Sequence, residues 1–407
     1  MIERAFFPII FSETFGRQMR FIAGPRQCGK TTLAQEQLKK RKCEVFYYNW
    51  DQPLVRNRYR KNSTFLREDL EKYGLKQGKA WICFDEIHKR SKWKNILKGI
   101  FDDLENKAQF IVTGSARLDA FRRAGDSLVG RYFLFRLMPL TLFEIGKMKL
   151  QRPPASAADF IEKRLQESKD SFGAFQDLLR FSGFPEPFLR GTEEYLQKWK
   201  DVYLDRLVRE DLRDITKIVE LDPIADLAHI LPSKVGSPLS VQSLTQDLEL
   251  GHKALKNYLK KLEMVYLIFP NSPYSRRIQR GLRKERKIYF YDWTWIQDEG
   301  VRFENYAAVE LNTLTQMWTD AGWGHYRLAY IRERDGKESD FLILKEEKPW
   351  LLIEAKIQDQ AIAAHHRRFA KVLGGIPVIQ LCQQKGVLRQ EEGGIYRISA
   401  SRFFAAS

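Results

Sequence analysis

The chain has 407 residues, length enough for two to four domains, and its 43% apolar and 30% charged residues make an ordinary globular mix. No apolar stretch approaches the roughly 18 residues of a membrane helix, AFFPIIF near the start is too short and too soon polar for a secretion signal, and Cys28, Cys43, Cys83 and Cys382 form no C-x-x-C pair. A membrane span, a disulfide framework and a zinc site are thereby excluded, and a reduced, cytoplasmic setting is expected. Lys plus Arg number 69 against 52 Asp plus Glu, a net charge of +17. A field of that sign favours polyanions, nucleic acid ahead of acidic membrane surfaces.

Over the first 140 residues strand and helix patterns alternate, as in an α/β sheet with helices on both faces. The run MRFIAG reads as a buried strand and TTLAQEQLKK as a helix. Between them residues 24 to 31, GPRQCGKT, complete a G-x-x-x-x-G-K-[ST] motif. Gly24 and Gly29 allow backbone conformations that a Cβ forbids, so successive N–H groups can converge on a phosphate. The helix N-terminus adds partial positive charge at the same point. Lys30 is expected to reach the β- and γ-phosphates of ATP, and the Thr31 hydroxyl to ligate Mg²⁺. The expected nucleotide contacts are Gly24, Pro25, Arg26, Gln27, Cys28, Gly29, Lys30, Thr31 and Thr32.

CEVFYYNWD reads as a second strand. AWICFDE is a third and ends in adjacent carboxylates, Asp85 and Glu86. Placed at the end of a neighbouring strand, Asp85 would hold the magnesium hydration shell and Glu86 would polarise the attacking water. The amphipathic KWKNILKGIFDDLE follows, with Trp93, Ile96, Leu97 and Ile100 on one face. QFIVTGS is a fourth strand, bringing Thr113 or Ser115 near the γ-phosphate, and RYFLFRL a fifth, preceded by Arg131.

GPRQCGKTTL, YYNWD, FDEIHKRSKWKNILKGIFDD, FIVTGSARL and SLVGRYFLFRLMPLTLFE resemble, in order, the prokaryotic AAA+-type P-loop ATPases that carry a C-terminal domain of unknown function. The likeness continues through FSGFPEPFL, YLDRLVREDL, KNYLKKLEMVYLI, KIYFYDW, RFENYAAVEL, ESDFLI and LIEAK, and so covers nearly the whole chain. It implies a P-loop NTPase core of the ASCE/AAA+ type over 1–150, with Lys30 and Glu86 catalytic and Arg131 offered as an arginine finger to the next subunit of a ring or partial ring.

The tandem prolines in QRPPAS mark a linker. A helical connector or lid is expected over 151–232, where Arg206 and Arg209 could approach a nucleotide at a subunit interface. A winged helix-turn-helix is expected over 233–292. HKALKNYLKKLEMVYLI places Leu255, Tyr258, Leu259 and Leu262 inward and Lys253, Lys256, Asn257, Lys260 and Lys261 outward, the profile of a recognition helix. The run SRRIQRGLRKERK, with Arg276, Arg277, Arg280, Arg283, Lys284 and Arg286, would be a wing reaching DNA phosphates.

Residues 293–407 carry a second acidic constellation: Glu304 in a helix, Asp340 at the head of DFLIL, and Glu354 with Lys356 in WLLIEAK. Residues two apart on a strand share a face. The order helix–strand–strand–helix–strand with E…D…E-x-K resembles the PD-(D/E)XK nuclease core. That resemblance implies Asp340 and Glu354 as ligands of Mg²⁺ or Mn²⁺, Lys356 as the group that stabilises the attacking hydroxide, and Glu304 as an accessory. The six histidines make no metal cluster, and His365 and His366 read as solvent-facing on a helix. Trp293 and Trp295 read as packing anchors.

The expectation is therefore an α/β ATPase acting on or regulated by DNA, homo-oligomeric, with a nuclease-like domain whose activity the residues leave open. The alternative is an ATP-dependent assembly switch with a protein partner, its nuclease-like domain an inactive scaffold.

Overall fold

The computed structural model describes residues 2–74, 78–114, 128–167, 170–213, 221–275 and 285–406. Five strands form the first sheet: β1 (Met19–Ala23), β2 (Tyr47–Asn49), β3 (Ala80–Asp85), β4 (Ala108–Gly114) and β5 (Tyr132–Arg136). Their order is β2-β3-β4-β1-β5, and every pairing is parallel. β1 and β3 are buried along their whole length, as a parallel sheet covered on both faces requires. The covering helices include α1 (Lys30–Lys40) and α3 (Trp93–Leu104), whereas α2 (Pro53–Lys61) has no buried residue. On α3, Trp93, Leu97, Phe101 and Leu104 are buried, whereas Ile96 and Ile100 are only half-buried. This is the P-loop NTPase fold. The expected second strand is shorter than its apolar run, because Glu44–Phe46 turn as a 3₁₀ helix before the chain extends.

The middle of the chain is helical. It includes α4 (Pro185–Arg190) and α5 (Glu193–Arg206), which runs on as a π-helix over Leu207–Leu212. Next come α6 (Val241–Asp247) and α7 (His252–Met264). On α7, Leu255, Leu259 and Leu262 are buried and Lys253, Lys256, Asn257 and Lys260 exposed, while Lys261 is half-buried rather than outward-facing.

The second sheet has eight strands, β6 (Ile268–Pro273), β7 (Lys287–Phe290), β8 (Tyr326–Arg332), β9 (Glu338–Lys345), β10 (Lys348–Lys356), β11 (Val378–Cys382), β12 (Leu388–Glu391) and β13 (Ile395–Ser399), in the order β12-β13-β11-β10-β9-β8-β6-β7. Two differences from the sequence reading appear here. Strand β8 stands between the helix and the two strands of the E…D…E-x-K pattern. The strands flanking the expected wing, β6 and β7, join this sheet, β6 pairing in parallel with β8 at Ser272–Ala329 and Pro273–Tyr330. A boundary at 292–293 therefore cuts through one hydrogen-bonded sheet. Arg276, Arg277, Arg280, Arg283 and Lys284 lie outside the described residues.

Helix α8 (Glu299–Asp320) joins the two halves. Asp298 caps it by accepting from the Val301 N–H at 2.9 Å. From Asn305 to Thr315 every side chain is buried, the pattern of a helix enclosed on all sides. Its last residue, Asp320, takes the Arg136 N–H at 2.9 Å and the guanidinium Nε at 3.0 Å at the end of β5. Midway, Glu310 Oε1 accepts from the Leu142 N–H at 2.8 Å and the Tyr306 hydroxyl at 2.9 Å. α9 (Ala364–Val372) covers the far side of the second sheet against β9 and β11.

Trp318 on α8 is fully buried and meets Phe160, Tyr326 and Trp350 edge-on. Trp318→Ala should lower stability by about 3–5 kcal/mol, read as a shift of the chemical denaturation midpoint.

Candidate functional site

The phosphate loop takes its shape from its glycines and from what is packed behind it. At Gly24 φ is +150°, and an added Cβ would lie 2.0 Å from the Leu137 carbonyl oxygen, so only glycine fits. Gly29, at φ +97°, starts α1 in the left-handed region. Arg4 is buried behind the loop. It donates to Cys28 O at 2.8 Å, to Met138 O at 2.6 Å and to Glu144 Oε1 at 2.9 Å. Lys30, also buried, donates Nζ to Gly24 O at 2.9 Å and Pro25 O at 2.5 Å. The loop carbonyls are thus held from behind.

Asp85 ends β3, but β4 lies between β3 and β1, so the acidic pair is not on the strand next to the loop as expected. Thr113 on β4 bridges the gap by donating its hydroxyl to Asp85 Oδ1. Thr31 Oγ1 donates to Asp85 Oδ2 at 3.0 Å, and the Tyr47 hydroxyl donates to the same oxygen at 2.6 Å. The Thr31 hydroxyl and the Asp85 carboxylate are hard oxygen donors within hydrogen-bonding distance of each other, a set that fits Mg²⁺. Thr113 is committed to Asp85, and Ser115 lies outside the described residues. Glu86 follows with φ +57°, a left-handed conformation for a residue with a side chain. Burial pushes its carboxyl up to about 7, against the opposing pull of Lys89. Its Oε2 lies 3.6 Å from both His88 Nε2 and Lys89 Nζ.

Arg26, Gln27, Gly29, Lys30, Thr31, Thr32 and Glu86 line a cavity of about 680 Å³. Its opposite wall comes from α4, with Pro185, Glu186, Leu189 and Arg190. Sequence reading quoted FSGFPEPFL only as part of a resemblance and assigned it no role. Its signal was two prolines opening a short helix, with apolar Leu189 left 62% exposed. Side chains of the loop also dock onto α5 and its π-helical end. Arg26 Nη1 meets Asp211 at 2.8 Å and Nη2 meets Glu210 at 3.0 Å, while Trp199 Nε1 donates to Gln27 Oε1 at 2.8 Å. The acidic residues of this segment, not Arg206 and Arg209, meet the loop; Arg209 bonds Asp205 of its own helix at 2.5 Å. Arg131 precedes β5, at the end of the strands opposite the loop, and grips Asp102 through Nε at 2.7 Å and Nη2 at 3.1 Å. It does not enter the site of its own chain.

The C-terminal constellation does assemble. Asp340 Oδ2 accepts from the Ala355 N–H at 3.0 Å, the Asp340 N–H donates to Glu354 Oε2 at 3.2 Å, and Lys356 Nζ meets Glu354 Oε1 at 2.7 Å. Burial pushes the Glu304 carboxyl up to about 7 and that of Glu354 up to about 8. Sequence reading missed the residue at its centre. Lys287, first in β7 and with no exposed surface, sets its ammonium 2.5 Å from Glu338 Oε1, 3.0 Å from Glu304 Oε1 and 3.5 Å from Asp340 Oδ1. A divalent ion does not fit among carboxylates already served by a buried ammonium. Among the described residues no three His, Cys, Asp or Glu groups converge on a metal position. His366 is buried rather than solvent-facing, its Nδ1 2.5 Å from Ser339 Oγ and its Nε2 3.8 Å from Glu354 Oε2. Trp293 is fully buried and Trp295 packs under Lys200.

Residues 16–146 match the family model of an AAA domain, and residues 173–294 that of a domain of unknown function, DUF8612. Among curated proteins the chain is similar to the uncharacterized protein Rv2008c of Mycobacterium tuberculosis, 24% identical over 271 residues, which are 67% of this chain and 53% of that protein. It is also similar to the uncharacterized protein MJ1637 of Methanocaldococcus jannaschii, 25% identical over 306 residues, 69% of this chain and 62% of the relative. The chain thus spans about half to under two thirds of the length of these relatives. Among solved structures, the Orc1 protein of Aeropyrum pernix in complex with DNA aligns with 14% identity over 74% of this chain and 96% of its own, at a TM-score of 0.29. AMPPCP-bound DnaA from Aquifex aeolicus aligns with 18% identity over 63% and 86%, at a TM-score of 0.28. Similarity this slight fixes neither fold nor ligand. No helix among the described residues is long and apolar enough to cross a membrane.

Removing the ammonium from the carboxylate cluster leaves buried acids without a counter-charge. Lys287→Met should destabilise the protein by about 3–5 kcal/mol near pH 8. The deficit should shrink near pH 6, where Glu304, which meets Lys287 directly and whose carboxyl is raised to about 7, takes up a proton and no longer needs the cation. Melting curves of the variant and the wild type at the two pH values check this.

Proposed function

We propose that this protein is an AAA-type ATPase that binds and hydrolyses ATP and acts on, or is regulated by, nucleic acid. The observation that carries the reading is the 3.0 Å hydrogen bond from Thr31, at the head of α1, to Asp85, at the end of β3. It joins the phosphate loop to the acidic pair two strands away. In this reading the loop N–H groups and the N-terminus of α1 receive the phosphates, and Lys30 leaves the carbonyls of Gly24 and Pro25 to neutralise them. Thr31 and Asp85 would hold Mg²⁺, which when bound offsets charge on the phosphate oxygens. Glu86 takes the proton of the attacking water as the water oxygen bonds to the γ-phosphorus and ADP departs. Its raised proton affinity suits it to that role near neutral pH. Arg131 would act only on the nucleotide of a second copy, which makes a homo-oligomer part of the proposal.

Lys287 favours the inactive form of the C-terminal domain. With a built-in ammonium among Glu304, Glu338 and Asp340, we read the nuclease-like constellation as structural. The exposed lysines of α7, Lys253, Lys256 and Lys260, remain candidates for DNA phosphates, as do Arg276, Arg277 and Arg280.

Lys30→Ala should abolish ATP binding measured by equilibrium fluorescence with a labelled analogue. Glu86→Gln should retain binding and lose at least about 100-fold in kcat. A general base with a pKa of about 7 is ionised as pH rises, so wild-type kcat should climb between about pH 6 and about pH 8. A pH-independent kcat would remove Glu86 from that role. Wild-type protein should not cut single- or double-stranded DNA with Mg²⁺ or Mn²⁺; cleavage that Asp340→Ala eliminates would restore the nuclease reading.

A further inference from the structure

A second concavity lies on the other side of Glu86. It measures about 530 Å³ and is lined by Trp50, Asp51, Arg56, Arg60, Glu86, Lys89, Arg90 and Ser91. Its charge is lopsided. Arg56 and Arg60 stand one turn apart on α2, a helix with no buried residue. Among the described residues neither they nor Arg90 has a carboxylate partner. The next arginine along, Arg58, differs: it meets the buried carboxylate of Asp69 at 2.8 Å and 2.5 Å. Arg90 rests over the rings of Trp50 and Tyr59, 5.7 Å and 5.2 Å from their centroids. The only acids in the lining are Asp51, which Lys89 meets at 2.7 Å, and Glu86. Three unneutralised guanidinium groups around one hollow repel each other unless an anion sits between them. The Trp50 indole N–H, buried at the rim of this hollow, also lacks a hydrogen-bond acceptor among the described residues.

We infer that this groove binds single-stranded nucleic acid, its phosphates on Arg56 and Arg60 and a base on the Arg90 plane. The inference rests on the proposed nucleic-acid partner and says where that partner binds. The rise of a helical turn sets Arg56 and Arg60 about 6 Å apart along α2, a span for adjacent phosphates of one strand. A guanidinium resting over two rings is a stacking platform of the kind single strands use. An acidic peptide would satisfy the charges but leave the platform idle. A duplex, a stiff convex rod, would reach only the rim. Glu86 borders both this groove and the nucleotide cavity, and Lys89 in the groove lies 3.6 Å from its carboxylate. A strand seated here therefore touches the surroundings of the group that handles the attacking water, and it should stimulate ATP turnover.

The test is fluorescence anisotropy of the full chain, with ATP and Mg²⁺, on labelled oligo(dT) and oligo(rU), and ATP hydrolysis with and without each. Arg56→Gln/Arg60→Gln should weaken binding at least tenfold and lower the salt-dependence slope by about 1.4, the value for two lost single-strand phosphate contacts. Arg56→Glu/Arg60→Glu should weaken it further and remove the stimulation of turnover, while Lys348→Glu/Lys371→Glu, exposed lysines away from both candidate surfaces, keeps both; Lys256→Glu/Lys260→Glu on α7 tests the competing surface. Melting curves confirm that each variant is folded. If both Arg56/Arg60 variants bind like wild type and the α7 variant loses binding, the groove is wrong but the nucleic-acid partner stands. If wild type binds neither oligonucleotide, the partner itself is wrong and the groove assignment falls with it.

Discussion

The buried guanidinium of Arg4 is the constraint around which the molecule is arranged. It draws the Cys28 carbonyl to one side of the phosphate loop and, through Met138 and Glu144, fastens that loop to the segment leaving β5. Glu144 is itself part of a helix start. It accepts from the Thr141 N–H and hydroxyl at 3.2 Å and 3.1 Å, and the next N–H, that of Leu142, goes to Glu310 of α8. A continuous set of buried hydrogen bonds thus runs from the back of the nucleotide loop into the helix that carries Glu304 six residues earlier. Groups buried this way hold one arrangement because each loses heavily if its partner departs.

Two acidic centres sit at opposite ends of this framework and solve the same electrostatic problem differently. Asp85 is ringed by hydroxyls from Thr31, Tyr47 and Thr113, neutral donors that orient a carboxylate and leave its charge uncompensated. Glu304, Glu338 and Asp340 enclose an ammonium from their own chain. The first arrangement invites an external cation; the second already holds an internal one. That contrast, more than the residue types, distinguishes the two centres, since both contain the acids that magnesium chemistry uses.

What could be read from the sequence was whatever depends on neighbours along the chain. The Gly24–Thr31 loop, the Asp85–Glu86 pair and the Glu354-x-Lys356 face are local patterns, and the geometry bears out their placement on strand ends and a shared strand face. What could not be read depends on residues distant in sequence. Lys287 looked like one more basic residue in SRRIQRGLRKERK, and only the pairing of β6 with β8 brings β7 beside the acids. The insertion of β4 between β1 and β3 leaves no local mark, because parallel strands connected through helices can be ordered in several ways. Tyr47 read as a strand aromatic, and its hydroxyl contact to Asp85 follows only from the register of β2 on β3. His366 shared its helix with charged neighbours, and its burial comes from a sheet contributed by other segments. The α4 wall had no chemistry-bearing motif to announce it.

Helix α8 carries a consequence for the protein's history. Its buried apolar side chains belong to one hydrophobic core shared by both sheets, so neither half owns it. A shuffling event that moved the nucleotide-binding part alone to a new setting would leave the β5 flank raw, and one that moved the rear sheet alone would need to bring its own filler for that flank. The two parts are therefore expected to be inherited and exchanged as a unit.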